Sequence, residues 1–75
     1  MVLEIFKVFP PDRDGPVAQI TVSHDGVLDI PAEIRRYDGE LRIAMFAREG
    51  GVAWDYPLAD FLAVLHKGVA ALGSG

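Results

Sequence analysis

Ser23, His24 and Asp25 bring together the residue types of a nucleophile, a base and an orienting carboxylate. That chemistry needs the imidazole held between the hydroxyl and the carboxylate. Consecutive strand residues point to opposite faces, so three neighbours cannot converge in this way. Asp25-Gly26 reads instead as turn chemistry. His24 and His66 are the two imidazoles of the chain and fall in different predicted elements, neither with the carboxylates a metal site needs. Asp55 and Asp60 stand where a helix begins. Carboxylates there favour the helix dipole, and no pocket argues for a general acid–base pair. Gly50-Gly51 reads as a hairpin turn and not a phosphate loop, because no helix follows directly. There is no cysteine, hence no disulfide and no thiolate ligand. The sequence therefore assigns no catalytic, cofactor-binding or metal residues, and the chain is expected not to be an enzyme.

One candidate contact site remains. Arg42, Phe46 and Arg48 alternate along one face of a predicted strand, with Ala44 between them. Phe6 and Val8 extend that face if the first strand lies alongside. Aromatic and Arg residues are the types enriched at protein interfaces. The competing reading is a solvated strand face with one exposed aromatic, which is ordinary.

The elements that must position these residues are set by periodicity. In the stretch Asp55–Leu72, Leu58, Phe61, Leu62, Leu65, Val69 and Leu72 make one apolar stripe at helical spacing. Asp55 can cap it, Pro57 is tolerated in its first turn, and Gly73 ends it. His66 and Lys67 approach its negative end. Val2–Phe9 predicts a strand apolar on both faces, hence central or covered on both sides. Asp12–Pro16 is a loop by composition. Val17–Ser23 and Val27–Ile30 alternate as a hairpin. Keeping Val22 opposite Leu28, and Ile20 opposite Ile30, selects a three-residue loop His24-Asp25-Gly26. Pro31–Tyr37 reads as a helical turn or an irregular connection, and Asp38-Gly39 as a turn. Glu40–Arg48 is the longest predicted strand. A two-residue Gly50-Gly51 turn would return Val52–Trp54 along it, with Ala47 opposite Trp54. Gly73–Gly75 should fray. The predicted core joins Phe61, Leu62, Leu65, Ile20, Leu28, Ile43 and Trp54.

The expectation is thus one α+β domain over residues 1–75: a small antiparallel β-meander of about five strands, with one C-terminal amphipathic helix packed on one face. Apolar residues are 51% of the chain. In so short a chain that excess implies a dense core or a surface buried against another chain, and a homodimer is expected. The net charge of −4 makes nucleic acid a poor partner. No apolar run reaches the length of a membrane span. MVLEIFKVF lacks the basic region and cleavage site of a signal peptide, so a cytoplasmic location is expected.

From Ile20 to Arg36 the chain reads ITVSHDGVLDIPAEIRR. This resembles the hairpin of AbrB/MazE-type swapped-hairpin DNA-binding domains, with matches at Ser23, Gly26, Ile30, Pro31, Ile34 and Arg35. The resemblance implies an intertwined homodimer that binds DNA through basic residues, as a regulator or antitoxin. The match covers about residues 20–36. The turn carries His24 and Asp25 where a phosphate contact would need lysine or arginine. The favoured reading is a small non-enzymatic protein–protein interaction module, of inhibitor, antitoxin, immunity or adaptor type and of bacterial or phage origin. The AbrB-like DNA binder is its alternative.

Overall fold

The computed structural model describes residues 1–11 and 15–73. The predicted loop at residues 12–14 and the predicted fraying at Ser74 and Gly75 lie outside them. Four antiparallel strands form one sheet in the order β1-β2-β3-β4: β1 (Val2–Val8), β2 (Val17–His24), β3 (Val27–Tyr37) and β4 (Glu40–Met45). One helix follows, α1 (Leu58–Leu72). The class is α+β as expected, with four strands where about five were predicted.

Both tight hairpins turn on Asp-Gly. Asp25 and Gly26 have φ of 50° and 78°, and Asp38 and Gly39 have φ of 52° and 77°. Positive φ at both central residues is the two-residue turn whose twist matches the flanking strands. The first turn corrects the three-residue loop. His24 pairs with Val27 and Val22 with Asp29, and an irregularity between Ile20 and Val22 then sets Ile20 opposite Ala32. A bulge supplies the residue that the longer loop was meant to supply. Pro31 sits on the bulged stretch of β3. Its missing N–H costs no rung there, and its C=O accepts the Phe46 N–H at 2.9 Å.

Three further expectations are corrected. Residues 31–37 are neither helix nor irregular but the second half of β3, because pairing on both sides outweighs the helix propensity of a short segment. β1 is an edge strand. Leu3 and Ile5 pack toward the core, while Val2 and Phe6 on its other face are exposed. β4 ends at Met45, and Glu49–Gly51 forms a 3₁₀ turn, so Val52–Trp54 makes no return strand.

The helix begins at Leu58. Pro57, not Asp55, holds the cap position, and the Phe61 N–H donates to Pro57 C=O at 3.0 Å. Gly73, at φ 74°, ends the helix, and its carbonyl accepts from Arg36 at 3.0 Å. Arg36 thus supplies the cation at the negative end that His66 and Lys67, in mid-helix, do not. The core is Ile20, Ala32 and Val64, with Leu3, Ile5, Phe61 and Leu65 packed against it. Gly68 sets how closely the helix approaches. A Cβ there would stand 2.6 Å from Ile34 Cδ1 and 3.1 Å from Ile5 Cδ1. The stripe that faces the sheet is therefore Phe61, Val64, Leu65 and Gly68. It is rotated away from Leu62 and Val69, which are exposed. Leu28 and Ile43, placed in the predicted core, are exposed as well, and Trp54 is half-buried.

Candidate functional site

The helix-bearing face of the sheet is covered unevenly. α1 lies chiefly on β1 and β2 and barely reaches β3. Alternation from the Ala32–Met45 and Ile34–Ile43 pairs puts Ile43 and Met45 of β4 on this same face. They are 46% and 57% exposed. Across from them stands the flank of α1 that carries Leu58, 72% exposed, and Leu62, 47% exposed. Between helix flank and β4 runs an open apolar trough. A recess there of about 200 Å³ is lined by Pro31, Met45, Trp54, Tyr56, Leu58 and Phe61.

One end of the trough is built by the connection from β4 to α1. Trp54 Nε1 donates to Phe46 C=O at 2.7 Å. The Arg48 guanidinium lies 4.9 Å from the Trp54 ring centroid. Trp54 stacks on Tyr56, and Tyr56 on Phe61, each pair 6.0 Å between centroids. Offset stacks and a cation on an indole face are favourable contacts, so this ladder fixes a segment that has no backbone ladder of its own. Arg48 also reaches Asp29 at 3.9 Å and donates to Ala53 C=O at 3.2 Å. The Tyr56 hydroxyl is buried with no hydrogen-bond partner among the described residues. Burial pushes its phenol above the ordinary value of 10.0. The charge of Asp29 adds to that rise, and Arg48 opposes it.

The predicted trio does not share a strand face. Arg42 projects from β4 on the side away from α1, beside Arg35 on β3, and pairs with Glu40 at 3.3 Å. Phe46 lies one residue past β4, exposed, with its N–H and C=O both engaged. Arg48 is drawn to the helix-bearing side by Asp29 and Trp54. Strand alternation cannot carry through to Arg48 once the strand has ended. Ser23 and Asp25 stay apart as strand and turn residues, and His24 meets Asp25 at 3.2 Å on the exposed turn. Among the described residues no three His, Asp or Glu side chains gather as a metal site. Sequence pattern misses the trough because Leu58, Leu62 and Ile43 all read as core. The available signal was Gly68, the one residue of α1 small enough to mark the line of closest approach.

No family model matches the chain, and no curated protein or solved structure matches it. What fold and site define is a small α+β protein whose helix covers one sheet face as far as β3 and leaves the apolar side chains of β4 partly open. No helix of the described residues is long and apolar enough to cross a membrane.

Proposed function

We propose that this chain is a small non-enzymatic protein–protein interaction module, of inhibitor, antitoxin, immunity or adaptor type, and that the trough between α1 and β4 is its docking face. The observation that carries the reading is the exposure of Ile43 and Met45 on β4 and of Leu58 and Leu62 on the flank of α1, with Met45 and Leu58 lining one recess. Exposed large apolar side chains gathered on one side of a molecule are a feature of interaction surfaces. The rival DNA-binding reading would bring phosphates to the β2–β3 turn, where the exposed groups are His24 and Asp25.

The test is the size of the native particle in a lysate of cells that make the tagged chain. The wild type should run in a particle larger than its 8.2 kDa. The Met45→Glu/Leu58→Glu double variant, altered only at exposed positions, should run as the folded monomer. A wild type already running as a monomer would overturn the reading, and so would a double variant that keeps the large particle.

A further inference from the structure

We infer that the open edge of β4 takes an extended segment of a partner protein as a fifth, antiparallel strand, with an acidic residue opposite Arg42 and apolar residues opposite Leu41, Ile43 and Met45. The inference rests on the proposed contact role and names the chemistry of the partner.

The backbone of β4 is open on that side. Tyr37 and Glu40 flank a two-residue turn, and the pair that closes such a turn exchanges hydrogen bonds. Every second residue from Glu40 therefore turns its N–H toward β3, as far as Phe46, whose N–H reaches Pro31 C=O. Leu41, Ile43 and Met45 turn theirs outward. Among the described residues no hydrogen bond from another part of the chain meets them. The same three residues carry their side chains on the helix-bearing face, where Ile43 and Met45 are 46% and 57% exposed. Open main-chain groups beside open apolar side chains are what an added strand uses. A strand needs only about 4.8 Å of width, which the strip beside β4 provides.

β4 also lacks the features that blunt an edge. Its outward row carries no charge, it holds no proline, and it pairs with β3 without a bulge. The other edge differs. On β1, Leu3 and Ile5 already pack under α1, and Lys7 puts a charge in the same row.

Charge sets the sequence of the added strand. Arg42 points to the opposite face and lies directly across from Arg35 of β3. Like charges side by side disfavour each other, and an acidic residue on the free side of Arg42 offsets that. Arg42 falls at a non-hydrogen-bonded position of the new pair, where facing side chains come closest. Its present contact, Glu40 at 3.3 Å, is exposed at both ends and weak. The position opposite Glu40 then suits a basic residue. A second β4 does not supply this pattern. The registers that keep Ile43 opposite an apolar residue set Arg42 against Arg42, Ala44 or Phe46. The register that sets it against Glu40 leaves Ile43 facing Gly39 of the turn.

The test uses the purified full chain and a capped six-residue peptide, valine–threonine–valine–glutamate–valine–lysine, with a twin that has lysine in place of glutamate. In amide NMR titrations to millimolar peptide, the N–H signals of Leu41, Ile43 and Met45 should shift and their hydrogen exchange should slow, while those of Leu3 and Ile5 stay fixed. The glutamate peptide should bind about fivefold tighter than its twin, and Arg42→Glu should reverse that order. Unmoved β4 amides, equal binding of the two peptides, or shifts on β1 instead overturn the inference. So do β4 amides that shift with protein concentration before any peptide is added, which would place a second copy there. If β4 ignores the peptide while the lysate particle still depends on Met45 and Leu58, the contact reading stands and this inference alone falls.

Discussion

On one half of the helix-bearing face, Ile5, Ala18 and Ile20 lie under α1. Gly68 lets the helix so close that a single added carbon would collide. Along β4, Ile43 and Met45 carry side chains of the same kind and stay 46% and 57% exposed, because α1 reaches no further than Ala32 and Ile34 of β3. Both halves belong to one sheet, with β2 and β3 paired through the middle on either side of one bulge. Composition alone would count all five residues as core. Burial is decided instead by where a single fifteen-residue helix can reach.

The first way to break that comparison is to truncate matched positions on the two halves. Ile20→Ala should cost about 3–4 kcal/mol, as removal of a fully buried isoleucine does. Ile43→Ala, measured by denaturant unfolding at high dilution, should cost about 1 kcal/mol or less, near the range of surface changes. Equal costs at dilution would mean that β4 is covered within the single chain. Gly68→Val should cost about 2 kcal/mol by overpacking against Ile34 and Ile5. Its thermal melt sharpens the comparison, since Val69→Ala, one residue further round the helix, should stay within about 0.5–1 kcal/mol. An unchanged melt for Gly68→Val would show that α1 does not lie as close as its neighbours imply.

The smallest effect concerns Tyr56. Its phenol is raised in the folded state, so the unfolded chain releases this proton first. The contribution is complete below the unfolded value of 10.0 and is lost as pH rises above it. Wild type should therefore lose slightly more stability than Tyr56→Phe in melts carried from pH 9 to 11. At neutral pH Tyr56→Phe should be at least as stable as wild type, because the buried hydroxyl makes no hydrogen bond to offset its lost hydration. A clear loss at neutral pH would mean that the hydroxyl is bonded in solution.

The parts of the fold that sequence makes legible are those ruled by local chemistry. The alternation of Val17–Ser23, the Asp-Gly turns and the helix stop at Gly73 all come from period and φ preference. The errors arise where one irregularity changes the parity of every later residue in the strand. With strict alternation, Val22 opposite Asp29 looks wrong, and a longer loop looks right. A bulge beside Pro31 removes the contradiction, and nothing in the residue types announces it. Residues 32–36 favour helix locally and became strand because β4 pairs with all of them and β2 with the first three. Trp54 does return toward Phe46, but by its indole N–H and not by a backbone ladder. Periodicity centres the helix stripe on its largest residues. The contact line instead runs along Val64 and Gly68, since close approach depends on what is small. The same rotation turns Leu58 and Leu62 from expected core into the wall of the trough. The early end of β4 separates Arg42 from Arg48 in their expected shared role.

The central claim, that the exposed side chains of β4 and of the facing flank of α1 are a contact surface, is tested most directly by the methionine methyl groups. The chain has two methionines, Met1 at the start of the chain and Met45 beside the recess. In methyl NMR spectra of the labelled chain recorded alone and in a lysate of the cells that make it, the Met45 signal should shift or broaden in the lysate while Met1 stays fixed. Leu58→Glu should hold Met45 at its free position in both. A Met45 signal that is the same in both, in a chain that keeps its fold, would contradict the claim.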